Sequence, residues 1–150
     1  MAEIMRYIRI TLFSCLAGSA CAQTTMIGSV RTLAGTAVAV RGGSEIVCQD
    51  GMHLHAEDTL RTGADGRLGV ILRDGTRISL GPNTELKLDR FVYEPAQGRF
   101  ELLLKMARSV VAYISGKVAE FSPESAKLET PVGMVGLRGT KFAVTLEGGQ

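Results

Sequence analysis

Residues 64 to 90 read Ala64-Asp65-Gly66-Arg67-Leu68-Gly69-Val70-Ile71-Leu72, then Arg73-Asp74-Gly75-Thr76-Arg77-Ile78-Ser79-Leu80-Gly81, then Pro82-Asn83-Thr84-Glu85-Leu86-Lys87-Leu88-Asp89-Arg90. Each unit opens with Asp-Gly or Asn-Thr and then alternates apolar with polar residues. Asp-Gly and Asn favour turns with positive φ, and the alternation buries one face of the strand that follows. Three such units predict β structure, either a meander or a small solenoid in which each unit covers the apolar face of its neighbour.

The same grammar extends outward. From Gly28, Val30, Leu33, Ala37 and Val40 alternate with polar residues, punctuated by Gly35 and Gly42-Gly43. Ile46-Val47-Cys48 leads to the Asp50-Gly51 turn, and the runs at Met52–His55 and Asp58–Gly63 are again short. The chain has 150 residues, enough for one domain with a modest core, and no linker divides residues 23 to 150. It has no Trp, so Val, Leu, Ile and Ala must fill that core; its 18 glycines suit short strands and tight turns. With 17 basic against 15 acidic residues the formal charge is +2, which argues against nucleic acid as a partner.

Phe100 to Ile114 satisfies both periods. Phe100, Leu103, Leu104, Ala107, Val111 and Ile114 make a helical stripe; Phe100, Leu102, Leu104 and Met106 make a strand face. Enrichment in Val, Tyr and Ile from Val110 onward predicts strands. Between Lys127 and Leu146, Pro131 and repeated glycines exclude a helix through the first half, and the glycines are expected to mark bulges or close backbone approach.

The N-terminus reads as a signal peptide over residues 1–22. Arg6 and Arg9 flank an apolar run, Ile10 to Ala20, that is shorter than the roughly 20 residues a spanning helix needs. Ala20-Cys21-Ala22 fits cleavage before Gln23. The alternative is a lipoprotein acylated on Cys21, although Gly18 stands where that motif expects Leu. After cleavage Cys48 is the one remaining thiol, read as a small buried hydrophobe.

No catalytic constellation emerges. Asp58, Asp65 and Asp74 read as turn residues. His53-x-His55 with Cys48 offers nitrogen and sulfur ligands, but a fourth ligand is not evident. Gly133-x-x-Gly136-x-x-Gly139-Thr140 lacks the strand-loop-helix setting of a phosphate loop, and Lys141 follows the Thr instead of preceding it. No catalytic, cofactor or metal residue is therefore assigned, and the protein is read as non-enzymatic.

Two signatures in order, Asp74-Gly75-Thr76-x-x-x-Leu80 with Asn83-Thr84-x-Leu86, and Thr130-Pro131 with Arg138-Gly139-Thr140-x-Phe142, resemble the FecR domain over about Gly28 to Leu146. The resemblance implies an all-β fold of short antiparallel strands in a twisted, solenoid-like single domain, residues 23–150, on the periplasmic side of the envelope. It marks Asp74, Gly75, Thr76, Leu80, Asn83, Leu86, Thr130, Pro131, Arg138, Gly139, Thr140 and Phe142 as structural or interaction residues. The cytoplasmic segment, spanning helix and end domain of the signalling members have no counterpart here, so sigma-factor binding and receptor docking are not carried over. The expected function is a non-catalytic exported module working through contacts with a protein of the envelope, in sensing or signalling. An envelope ligand- or glycan-binding module is the alternative. Phe142 to Leu146 alternates like a strand that lacks its hairpin partner, and is expected to pair in trans with a second copy or a partner strand.

Overall fold

The structure, a computed structural model, describes residues 25–138 and 141–146. The expected signal peptide and its processing site at Cys21 and Gln23 lie outside the described residues. The chain runs β1 (Met26–Ala34), β2 (Ala37–Arg41), β3 (Ser44–Val47), β4 (His53–His55), β5 (Thr59–Thr62), β6 (Arg67–Leu72), β7 (Arg77–Leu80), β8 (Glu85–Glu94) and β9 (Arg99–Ile114). A short helix α1 (Lys117–Phe121) precedes β10 (Ala126–Thr130), β11 (Gly133–Gly136) and β12 (Lys141–Leu146). The all-β expectation holds, as a mostly antiparallel sheet curled into a half-barrel.

The curl comes from bent rungs. One arm of the sheet runs β3-β2-β5-β8-β9, the other β4-β1-β6-β7-β9. In each rung the chain crosses between arms at a corner: β1 to β2 at Gly35-Thr36, β5 to β6 at Gly63, β7 to β8 at Gly81-Pro82. The corners stack on one another through backbone hydrogen bonds, Gly63 N to Thr36 O at 2.9 Å, Asn83 N to Gly63 O at 3.0 Å and Gly81 N to Val110 O at 3.0 Å. This stacking is the solenoid-like element. The first two nine-residue units pair as a hairpin, whereas the third, β8, turns away from β7 and pairs with β5 and β9 in the other arm. At the first corner Gly35 has φ +67°, and a Cβ there would lie 2.2 Å from the Asp65 carbonyl oxygen, so no side chain fits.

Strand β9 is the spine of both arms. Phe100 to Ile114 is one continuous strand, not several short ones. It stays buried on one side by changing phase: Leu102, Leu104 and Met106 face inward, then Val111 and Tyr113. The shift falls at Ser109, which has φ +76°, and it breaks the alternation that made this stretch ambiguous in sequence. The first half of β9 pairs with β8 and, in parallel, with β10; the second half pairs with β7 and β12.

Inside the curl, Leu54, Leu60, Leu68, Ile78, Leu86, Leu88, Leu102, Leu104, Leu128 and Leu137 are almost wholly buried. Each contributes roughly 2 kcal/mol by leaving water. Among the described residues no helix is long and apolar enough to cross a membrane.

The strand expected to lack a hairpin partner is paired along one edge, by the spine. β12 pairs with β9 from Lys141↔Ile114 to Leu146↔Ser109. Its outer edge has no strand neighbour among the described residues. Gly136 is also not a site of close approach, since nothing lies within 4 Å of a Cβ built there.

Candidate functional site

The first signature is a buried staple. Asp74, Thr76 and Leu80 occupy the inward phase of the β6–β7 hairpin, and all three are buried. Asp74 Oδ1 accepts from the Thr76 amide at 3.0 Å; Oδ2 accepts from the Thr76 hydroxyl at 2.8 Å and the Val118 amide at 3.0 Å. Its carbonyl takes the Lys117 amide at 2.9 Å. Asp74 therefore shapes its own turn and also caps the start of α1, 44 positions downstream, holding two amides that the helix leaves unpaired. Gly75, φ +89°, is exposed at the tip. Gly116 lets the two pieces meet, because a Cβ there would lie 2.3 Å from the Thr76 nitrogen.

Tyr113, also buried, borders the same cluster. Burial pushes its phenol above the ordinary value, while side-chain hydrogen bonds with Thr76 and Ser115 pull it back. The chemistry here is structural: every atom of the Asp74 carboxylate is engaged with donors of the fold.

A second staple joins the corners. The buried Thr62 hydroxyl donates to Gly81 O at 2.6 Å and accepts from the Thr84 amide at 2.9 Å. Thr84 Oγ1 donates to Val110 O at 3.1 Å and accepts from Val110 N at 3.4 Å, clamping the phase shift of β9. Asn83 provides the positive φ of that turn, +52°, and Leu86 continues inward, wholly buried.

A third polar feature escaped the sequence. Asp58 is not merely a turn residue: its carboxylate is completely buried and receives Arg41 in a fork, Nε to Oδ1 at 2.9 Å and Nη2 to Oδ2 at 2.7 Å. The His55 amide adds a bond at 2.9 Å. The hydrogen bond to Asp58 holds the Arg41 guanidinium above its ordinary pKa. Cys48 is buried, and burial, aided by the charge of Asp58, pushes its thiol up, so it is an inert core residue. His53 and His55 flank the buried Leu54 on β4; among the described residues no group of three or more His, Cys, Asp or Glu is placed to hold a metal ion.

The second signature lies at the far end of the stack. Thr130 closes β10 and donates to Gly133 O at 2.9 Å across the turn formed by Pro131 and Val132. Beyond the turn, β11 pairs with β10 alone, and all four of its residues are exposed. Leu137 then dives inward, its amide bonded to Ala126 O at 2.9 Å, and Arg138 is exposed. Gly139 and Thr140 lie outside the described residues. Phe142 pairs through its backbone with Tyr113. The predicted residues thus divide into a buried hairpin and corner, and an open-ended last rung some distance down the stack; they do not converge on one cleft.

Comparison with curated proteins and with solved structures gave no match. A family model described as FecR protein matches residues 58–150, from the buried Asp58 through the corner, the spine and the last rung. That family is involved in signalling. The matched span is more than half of the chain and includes both signatures, and the chain belongs to the FecR protein family.

Proposed function

We propose that the protein is a non-catalytic, exported module, formed by residues 23–150, that binds a protein partner in the cell envelope during sensing or signalling. Residues 1–22 act as its signal peptide. The observation that carries the reading is the open last rung: on and beside β11, Val132, Met134 and Val135 are 87%, 56% and 38% exposed, on a strand whose outer edge has no neighbour among the described residues. Free N–H and C=O groups beside exposed apolar side chains form a template for an added strand. The outer edge of β12, over Phe142 to Leu146, is the second place for an added strand, supplied by a second copy or by a partner.

A photo-crosslinking residue placed at Met134 tests the idea in intact cells. A discrete protein adduct at Met134, absent when the same residue replaces the distant Ala64, is the expected result. Retention of the protein on peptidoglycan with no adduct would replace this reading by the glycan-binding one.

A further inference from the structure

A groove crosses the outer face of the β4-β1-β6-β7-β9 arm, at right angles to its strands. Its floor is a row in register: Thr32 opposite Gly69, Gly69 opposite Ser79, Ser79 opposite Ala112, and Ala112 opposite Ala143. Short side chains in this row leave a depression between taller neighbours. Leu33, Ala34, Arg67, Pro82 and Val110 bound a hollow of about 580 Å³ on one side. Arg31, Ile71 and Arg77 bound a contiguous hollow of about 280 Å³ on the other, which shares Thr32, Gly69 and Ser79 with the first. Five strands at about 4.8 Å spacing make the row about 19 Å long, the reach of roughly six extended residues.

The charge on this face is one-sided. β1, β6, β7, residues 109–114 of β9 and β12 contain Arg31, Arg67, Arg77 and Lys141, and no Asp or Glu. All four basic residues are exposed, and no ion pair among the described residues uses them. The outer face of the other arm is the opposite. There Arg61 meets Glu45 and Glu85 at 3.5 and 3.4 Å, Lys105 meets Asp89 and Glu129 at 3.9 and 3.6 Å, and Arg108 meets Glu85 at 3.9 Å. A chain of near-neutral total charge thus places four cations without ion pairs among the described residues on one face, along a partly apolar groove.

We infer that this groove binds an extended acidic segment of a protein partner, with carboxylates on Arg31, Arg67, Arg77 and Lys141 and an aliphatic side chain over the Gly69-Ser79-Ala112 floor. Rows of Arg67 and Arg77 stand four residues apart along adjacent strands, about 13 Å, wide enough for one extended chain between them. Aliphatic walls of Ala34, Pro82 and Val110 match apolar side chains. None of the lining residues is aromatic, so neither sugar rings nor bases have a surface to stack on. The inference goes beyond strand addition at the last rung, and uses a different face.

The probe is a fluorescein-labelled eight-residue peptide of alternating Glu and Leu, read by anisotropy against the full chain at low and at physiological salt. The expected result is saturable binding that weakens with salt. Arg67→Glu/Arg77→Glu should lower affinity at least tenfold, and Ser79→Tyr, which fills the floor without changing charge, should do likewise. Arg99→Glu, an exposed charge at the far end of β9, should leave binding unchanged, and circular dichroism melts of all variants should coincide with wild type. Because each changed residue is exposed, a folding failure would show in the melt, and Ser79→Ala then separates filling from unfolding. Absence of peptide binding by the wild type, equal loss in Arg99→Glu, or groove-dependent binding of dextran sulfate or phosphatidylglycerol vesicles in place of the peptide would each overturn the inference. Cross-linking at Met134 is unaffected by any of these outcomes.

Discussion

Replacing Asp74 by Asn changes one atom in a buried carboxylate that faces only donors. Asp74 is 3% exposed and accepts from the Thr76 amide, the Thr76 hydroxyl and the Val118 amide. An amide has one acceptor oxygen, so its NH2 group must point at a backbone N–H. If it replaces Oδ1, it opposes the Thr76 amide; if it replaces Oδ2, it opposes the Val118 amide, and only the Thr76 hydroxyl can rotate to accommodate it. One hydrogen bond to a charged group is lost and one buried donor is left unsatisfied, for a total of about 3 kcal/mol. Asp74→Ala removes both acceptor oxygens, and with them all three hydrogen bonds, and should cost more, about 4 kcal/mol. In a domain of this size the Asn variant should melt roughly 10 °C below wild type. Urea unfolding followed by circular dichroism gives the free energy directly. Asp50→Asn, at the exposed Asp50-Gly51 turn, is the control and should stay within about 0.5 kcal/mol. If Asp74→Asn melts with wild type, the carboxylate does not hold the hairpin to α1, and the structural reading of the first signature is wrong.

Arg41→Met strips the counter-charge from the wholly buried Asp58 and should destabilise by about 3–5 kcal/mol in the same urea assay. Gly116→Ala drives a methyl into the Thr76 backbone and should cost about 3 kcal/mol; a variant as stable as wild type would show that the contact relaxes. Tyr113 has its pKa raised above 10.0, chiefly by burial, so the fold favours the neutral phenol. The stability this brings is complete below pH 10 and is lost as pH rises through the folded value; Tyr113→Phe should be less stable at neutral pH and show a shallower alkaline fall. Cys48, buried and with its thiol pKa raised, should react with Ellman's reagent orders of magnitude more slowly in the native protein than in urea, when it is the one cysteine in residues 23–150.

What the sequence made legible was local. Period-2 alternation and Asp-Gly turns are properties of neighbouring residues, and they placed β6, β7 and β8 and the turns before them. What it hid was long-range: Arg41 and Asp58 meet across 17 positions, Asp74 and Val118 across 44, and neither separation leaves a periodic trace. A usable signal was nevertheless present. From Leu68 to Leu88 the even positions are buried with the exception of Pro82, so Asp74, Thr76 and Thr84 stand in the phase reserved for Leu and Val. A polar side chain in the apolar phase must find partners indoors, which marks a staple in place of an exposed turn. The spine was legible only in part, because the shift at Ser109 moves the buried set from even to odd residues and imitates a loss of strand pattern.

The same phase argument separates what the family signature reports from what a partner can read. Asp74, Thr76, Leu80, Leu86 and Thr130 face inward, where their bonds are made within the fold, and Thr84 beside them does the same. A protein arriving from outside cannot touch them. They keep the corners stacked and the hairpin fixed to α1. On the proposed function, recognition is written in the outward phase: Arg67, Arg77 and Ser79 on the groove, Val132 and Met134 at the open rung, Arg138 beyond it. Exposed substitutions of this kind usually shift stability by no more than about 0.5 kcal/mol. Changes at the outward positions should accordingly alter which partner is captured while leaving the melting curve in place, and changes at the inward signature should move the melt first and binding only as a consequence. A set of outward variants that lost stability in step with binding would show that the two phases are not separable, and that the partner is part of the fold.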